Sequence, residues 1–529
     1  MTPAPLSADR IWGRDDGTLV TVGRNLSTRY LVIVIDAVIG LLMMPFNQHH
    51  LGQAAWGLWL LTTSVNTYFT VIDLGYGGSV TRFVARYRAL RDAQSINEIA
   101  STLMAVFIVT GTLIYGAFVV GAFHVDRLFT LTPEQVDTAR TLMLISGTQV
   151  ALGIPFGVFG GVMNGFQRYD INNFVSIAAS VAVAVVNVAM LLAGYGLVEL
   201  VFATTMVRIA SKIIYRRNAY QVFPLLSVNP LRFSWARLRE VTSFSIYVTI
   251  LTWSYKLNYM TDMFVIGMYM GPAAVALWAV PRRFAVLVRS LTNQFNNVLM
   301  PVVVDLDARR KVERLRAILV QGTRLSLFGA IPGCATLILL ADRLIPAYMG
   351  PGYTDSIPVA QILATVIAFR VGNSTAGIVL KGGGRIRLVA FTNALVAVVN
   401  LTLSLIWIQR YGLVGQALGT LVPVAVGSLF VIWPAACHRV GIGLGDAFRR
   451  AAWPALWPLV VMVPVDLALR AALPPTLLAV AFTAVVGALC YAATFLAFAI
   501  SRQDRTAMIA KLKTLTYALT RRNRVPAAA

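Results

Sequence analysis

Charge is scarce in this chain. Of 529 residues only 45 are Lys or Arg and 22 are Asp or Glu, 13% together, about half the ~25% of an ordinary soluble domain. No polar stretch is long enough to fold as an aqueous domain, which excludes a soluble enzyme. It also excludes a nucleic-acid-binding domain, despite the formal net charge of +23. The three cysteines, Cys334, Cys437 and Cys490, lie in or beside apolar stretches without CxxC spacing, so they read as buried thiols and no disulfide is expected. The four histidines, His49, His50, His124 and His438, form no HExxH arrangement, so no metal site is expected and loop roles are. The first apolar run starts at Leu31 and outruns a signal peptide without an A-x-A exit, so the polar amino terminus should stay attached.

Apolar residues, in contrast, reach 57% with a mean hydropathy of +0.71. That is more apolar surface than one core can hide, so the solvent must be lipid. Apolar windows of about 20 residues predict an all-α polytopic membrane protein of about fourteen transmembrane helices. They fall near 29–46, 54–78, 97–123, 140–163, 172–193, 197–217, 242–269, 272–303, 317–341, 356–380, 387–408, 412–436, 451–472 and 475–501. An even number puts both termini on one side. The loops of that side, with the helix ends counted into them, hold 34 Lys and Arg, seven of them between Arg208 and Arg239. The opposite side holds five: Arg127, Arg140, Arg343, Arg410 and Arg470. The positive-inside rule then makes both termini cytoplasmic, and the basic balance adds a general attraction to anionic lipid headgroups.

An internal repeat divides the first twelve helices. Leu51-Gly52-Gln53-Ala54-Ala55-Trp56-Gly57-Leu58-Trp59 reads against Met270-Gly271-Pro272-Ala273-Ala274-Val275-Ala276-Leu277-Trp278, 219 residues later. Ala184-Val185-Val186-Asn187 matches Ala397-Val398-Val399-Asn400, and Tyr195-Gly196-Leu197-Val198 matches Tyr411-Gly412-Leu413-Val414, in the same order. Six helices separate the copies, so the repeat is parallel, about an axis along the membrane normal. The expected organisation is a cytoplasmic segment 1–28, an N-lobe 29–217, a cytoplasmic loop 218–241, a C-lobe 242–436, two appended helices 437–501 and a basic tail 502–529.

Topology leaves ten charges inside helices: Lys256, Arg282, Arg283, Arg289, Arg324 and Arg370, and Asp36, Asp73, Asp262 and Asp466. A charge in hydrocarbon costs at least ~2.5 to 3.5 kcal/mol, so each must meet a partner, water or a cavity. Several share polar stripes: Thr63, Asn66, Thr70, Asp73 and Gly77; Thr252, Tyr255, Lys256, Tyr259 and Asp262; Arg282, Arg289, Asn293 and Asn296. Arg29, Arg289 and Arg324 lie within snorkelling distance of an interface, and Asp466 reads as the i+4 partner of Arg470. Lys256 and Arg370 are about 14 residues from either helix end, roughly 20 Å deep, beyond the reach of snorkelling. They and Arg282 read as lining an anion-attracting cavity, with buried ion pairing as the alternative. Asn173, Ser176, Ser180, Asn187, Asn393, Asn400 and Ser404 read as close helix packing.

The sequence resembles the multidrug and oligosaccharidyl-lipid/polysaccharide exporters, specifically the bacterial polysaccharide (O-antigen, Wzx-like) flippase branch. The resemblance is carried by Leu51-Gly52 with Gly57-Leu58-Trp59, Ile72-Asp73-Leu74-Gly75-Tyr76-Gly77, Arg82-Phe83-Val84-Ala85-Arg86-Tyr87 and Gly161-Val162-Met163-Asn164-Gly165-Phe166-Gln167-Arg168. It implies a MATE-like fold of two six-helix lobes in the bacterial inner membrane. It further implies a transporter, not an enzyme, that moves a polyprenyl-pyrophosphate-linked oligosaccharide to the periplasmic leaflet by alternating access. Lys256, Arg282, Arg283 and Arg370, with Tyr259 and Asn293, are then the substrate-binding candidates. Asp36, Asp73 and Asp262 are candidates for a coupling H+ or Na+ site or for pairing those cations. No cofactor is expected; the partners are the lipid-linked substrate, membrane lipids and a glycan polymerase or assembly protein. The alternatives are a lipid II-type flippase of the same superfamily and, less favoured for want of large outer loops, a membrane-embedded glycan polymerase or glycosyltransferase.

Overall fold

A chain in lipid must satisfy its backbone hydrogen bonds within each segment, and helices do so. In the computed structural model, which describes residues 18–69 and 76–499, every regular element among the described residues is helical. Side chains are described within those ranges except at 18–23, 26, 67–69, 76–77, 243–259, 291–298 and 499. Nine stretches among the described residues are long and apolar enough to cross a bilayer.

Helix α1 (Thr18–Phe69) is broken at Gly52. It is followed by α2 (Tyr76–Ala89), α3 (Ala93–Phe123), α4 (Pro133–Gly165), α5 (Tyr169–Leu192), α6 (Leu197–Val222) and α7 (Trp235–Tyr269). Then come α8 (Pro272–Ala308), α9 (Val312–Met349), α10 (Ser356–Gly382) and α11 (Ile386–Val426), the last broken at Gly412. A π-helical turn leads into α12 (Trp433–Val440), and α13 (Leu459–Ala472) and α14 (Leu477–Thr494) close the series.

The repeat read from sequence is present in the backbone. Gly52 (φ 77°) and Gly271 (φ 78°), 219 residues apart, both take the left-handed conformation that glycine adopts without steric cost. At the same spacing Arg91 (φ 54°) and Arg310 (φ 53°) end α2 and α8 in one hydrogen-bond pattern: Asp92 N donates to Tyr87 O and Lys311 N to Leu306 O, each at 2.9 Å. This Schellman closure satisfies the last carbonyls of each helix. Gln167 (φ 60°) and Gly384 (φ 79°) repeat it after α4 and α10, through Arg168 N to Met163 O and Arg385 N to Leu380 O.

The chain packs as two compact units. The first comprises residues up to Val280 together with Asn393–Gly419, and the second Pro281–Thr392 together with Thr420 onward. In the first unit Val80 and Val84 of α2 press on Gly161 and Gly165 of α4, where a Cβ would lie 2.6 Å from each valine Cγ1. Small residues four apart let two helices approach. Phe83, Ile99, Leu103, Phe159 and Phe223 complete that core. In the second unit α13 and α14 are docked on α9. Tyr491 and Phe495 pack with Leu327 and Ile331, and the Tyr491 hydroxyl donates to Ala455 O at 2.6 Å. Arg470 donates to Asp342 Oδ2 (2.6 Å) and Leu339 O (3.1 Å). The expected i+4 pair with Asp466 is therefore not formed. Asp466 is fully buried and faces Gly487 of α14, so helix packing gives Arg470 a better-placed carboxylate on another helix.

Candidate functional site

A cavity of about 350 Å³ opens inside the first unit among α3, α4, α5 and α6. Space for it comes from α4, where Gly153 and Gly157 follow Gln149 at helical spacing and carry no side chains to fill it. Opposite, α6 presents Arg208, Ser211, Lys212 and Tyr215, an i, i+3, i+4, i+7 stripe, and α5 adds Ser176 and Ser180. The Lys212 ammonium lies 5.5 Å from the centre of the Tyr215 ring, a cation–π contact, and its Cε passes over Gly153. Tyr215 donates its hydroxyl to Asn172 O at 3.2 Å, and Gln149 Oε1 accepts from Thr205 Oγ1 at 3.3 Å, which fixes two walls. Asp36 on α1 is close enough for its charge to act on Arg208.

The charge count assigns Arg208 and Lys212 to the cytoplasmic side as helix-end residues, although the predicted window 197–217 contains them. They lie well inside α6, so the count of that side falls from 34 to 32 against five. The stripe that reveals them, Arg208, Ser211, Lys212 and Tyr215, lies within the predicted window 197–217 and is legible in the sequence. Ser176 and Ser180 likewise line the cavity rather than a packed seam. The packing expectation does hold for Asn173, which donates to Thr28 Oγ1 at 2.9 Å, and for Ser404, which donates to Asn400 Oδ1 at 3.2 Å and abuts Gly419.

Of the residues singled out from sequence, Asp262 belongs to the first unit and accepts a 2.9 Å hydrogen bond from Gln416 Nε2. Arg282, Arg283 and Arg370 belong to the second. Arg370 is half-buried at the middle of α10, and Arg283 on α8 acts electrostatically on Tyr348, whose ring meets Phe284 at 5.5 Å. Arg324 donates through Nε (3.1 Å) and Nη2 (2.6 Å) to Arg450 O, an anchoring contact. Helix α7 runs through Lys256 and Tyr259 and α8 through Asn293, whose side chains lie outside the described residues, as does Asp73 altogether. Among the described residues no cluster of His, Cys, Asp or Glu suits a metal ion.

A second polar cluster ties the ends of α2, α3 and α7. Arg237 donates to Glu98 Oε2 (2.9 Å), Tyr87 Oη (2.9 Å), Glu240 Oε2 (3.1 Å) and Ser95 Oγ (2.6 Å). Burial, with the Tyr87 hydroxyl donating to Glu240 Oε1 at 2.8 Å, pushes that phenol above its ordinary value. In the second unit Arg439 pairs with Asp307 beside Gly383, and Arg316 donates to Val440 O and Gly441 O. Each unit thus has a basic clasp at the loop ends carrying the repeated turn.

Comparison with known proteins gives four consistent matches. A model of the family described as "polysaccharide biosynthesis protein" matches residues 22–307. A probable flippase, AglR, of Haloferax volcanii is 20% identical over 421 residues, covering 78% of this chain and 83% of the relative. Among solved structures, the lipid II flippase MurJ in an inward closed conformation aligns with a TM-score of 0.68 at 15% identity, over 91% of this chain and 99% of that one. An inward-facing multidrug resistance MATE family transporter aligns with a TM-score of 0.59 at 17% identity, over 78% and 99%. The two structural likenesses establish the fold.

Proposed function

Because the chain belongs to the polysaccharide biosynthesis protein family, we propose that it flips a polyprenyl-pyrophosphate-linked oligosaccharide between the leaflets of the bacterial inner membrane. It is a multi-pass transporter rather than an enzyme. The observation that carries the reading is the set of cations deep in spanning helices, above all Arg370, which stands 14 residues from Ser356 and 12 from Gly382. At 1.5 Å per residue it is roughly 18 to 21 Å from either end, too deep to snorkel. A pyrophosphate offers such cations the compensation that hydrocarbon cannot.

In this reading the sugars and pyrophosphate enter the protein while the prenyl tail stays in lipid. Lys256, Arg282, Arg283 and Arg370 are the candidates to hold the pyrophosphate by charge-assisted and bidentate contacts, and Tyr259 and Asn293 are the neutral candidates. A proton or sodium ion at Asp36, Asp73 or Asp262 couples the transition. Both termini are cytoplasmic, supported by the 32 to five asymmetry, and a glycan polymerase takes the product outside. The test is flipping of a polyprenyl-pyrophosphate-linked sugar in vesicles at matched protein levels. Lys256→Ala and Arg370→Ala should each lower transport about ten- to a hundred-fold. Full transport by the single variants, or recovery when Lys256→Ala is combined with Asp262→Ala, returns these residues to structural pairing. Lipid II as cargo in the same vesicles tests the competing substrate.

A further inference from the structure

We propose that the cavity among α4, α5 and α6 is a phosphate site in its own right, in which Arg208 and Lys212 receive the phosphate or pyrophosphate head of a membrane lipid. It is built of residues separate from the candidate substrate set above and lies wholly within the first unit. The lipid's identity as a polyprenyl pyrophosphate rests on the transport reading.

The first argument is charge. Arg208 and Lys212 are one turn apart on one helix face, where like charges repel. Among the described residues no carboxylate stands within salt-bridge distance of either, and Asp36 acts on Arg208 only from farther off. Two cations against one acid, inside a helix bundle, leave a net positive cavity that an anion completes. The same charge repels a metal ion or an ammonium ligand, and a neutral sugar has no need of it.

Donor geometry and depth narrow the class. A guanidinium fork fits two phosphate oxygens and an ammonium adds a point charge; Ser176, Ser180 and Gln149 offer neutral hydrogen bonds around them. Arg208 is 11 residues from Leu197 and 14 from Val222, about 16 and 21 Å from the helix ends, so its ligand must reach well along the helix. About 350 Å³ is near the floor of the ~300 to 1,000 Å³ typical of small-molecule sites. The cavity admits a head group and leaves an oligosaccharide outside.

The experiment is native mass spectrometry of the full chain with three probes: a polyprenyl pyrophosphate, inorganic pyrophosphate and phosphatidylglycerol. Arg208→Gln and Lys212→Gln should each weaken binding about ten- to a hundred-fold. Lys212→Arg should keep most of it, and Asp36→Asn should strengthen it by removing the opposing charge. This variant dependence with the polyprenyl probe or with inorganic pyrophosphate supports recognition of the head. With phosphatidylglycerol alone it supports the site and assigns it to bulk lipid. Equal binding of all probes by wild type and the double glutamine variant, at equal thermal stability, overturns the proposal. Should the double variant fail to fold, equal affinity of Lys212→Gln and Lys212→Arg overturns it. Unchanged binding together with normal wild-type flipping sinks this site alone. A wild type that flips no polyprenyl-linked sugar sinks the transport reading, and the binding series still decides the site.

Discussion

Gly57 should not tolerate a single added methyl. A Cβ placed there lies 1.9 Å from the carbonyl oxygen of Pro272 and 2.5 Å from its carbon. Both are backbone atoms at the start of α8, so no rotamer relieves the clash, and the two backbones must part by roughly 1 Å to reach a tolerable contact. Trp56, Leu58 and Trp278 are buried around this seam, and a gap of ~0.5 to 1 Å forfeits a quarter to a half of a dispersion well. A 1.9 Å clash with backbone puts overpacking in the upper part of its ~1 to 3 kcal/mol range, about 2 to 3 kcal/mol; offset by the ~0.5 to 1 kcal/mol that alanine gains over glycine in a helix, the expected net loss is about 1 to 2.5 kcal/mol. Gly116 in α3 supplies the control, because nothing lies within 4 Å of the position its added methyl would take; Gly116→Ala should stabilise by ~0.5 to 1 kcal/mol. Unfolding in mild detergent, followed by tryptophan fluorescence, reads both. Equal stability of Gly57→Ala and wild type, or destabilisation of both variants alike, would refute the reasoning.

Arg237→Ala leaves Glu98 without its cation, while Glu240 keeps Arg86 at 3.4 Å and the Tyr87 hydroxyl. With these side chains 23 to 34% exposed, the usual penalty for breaking a buried pair is reduced to about 2 to 3 kcal/mol, measurable as a lower unfolding midpoint; a loss below about 0.5 kcal/mol would show that water already screens the clasp. Asp466 is fully buried and, among the described residues, neither carboxyl oxygen has a hydrogen-bond partner. Asp466→Val should therefore stabilise by ~1 to 3 kcal/mol, and a lowered midpoint contradicts this. Asp92 caps α3 by accepting from Ser95 Oγ (2.6 Å) and Ser95 N (2.9 Å), and these bonds hold its carboxyl below the ordinary 3.8. A depressed folded value means its stabilisation is complete above pH ~4 and lost as pH falls through the folded value. The stability difference between wild type and Asp92→Asn should stay constant from pH 7 to about 4 and change below; a change confined to pH 5 to 7 would assign it to another group.

Much of the architecture was legible in the sequence because lipid makes each helix a local problem. The predicted windows at 172–193, 272–303 and 356–380 fall on α5, α8 and α10. The repeat was visible in LGQAAWGLW and MGPAAVALW, and its strongest structural trace, the matched left-handed turns at Arg91 and Arg310, falls where the two sequences no longer look alike. A backbone turn is set by where helices must stop, and many side chains can occupy it. The site was less legible. Spacing singled out Arg370 and Asp262 as candidates, but Arg208 and Lys212 were absorbed into a loop count because basic residues near a predicted helix end look the same whether they snorkel or line a cavity.

The sequence by itself determined the solvent, the helical class, the parallel repeat and the excess of cations, since these follow from composition and from periodicities within single segments. Tertiary structure decided which charges meet. Arg470 takes Asp342 from α9 rather than Asp466 from its own helix, and the Lys212 side chain crosses from α6 to Gly153 of α4. Sequence spacing identifies neighbours along one helix, but a long, flexible side chain reaches across the interface, and only the packing of one helix on another fixes what it finds there.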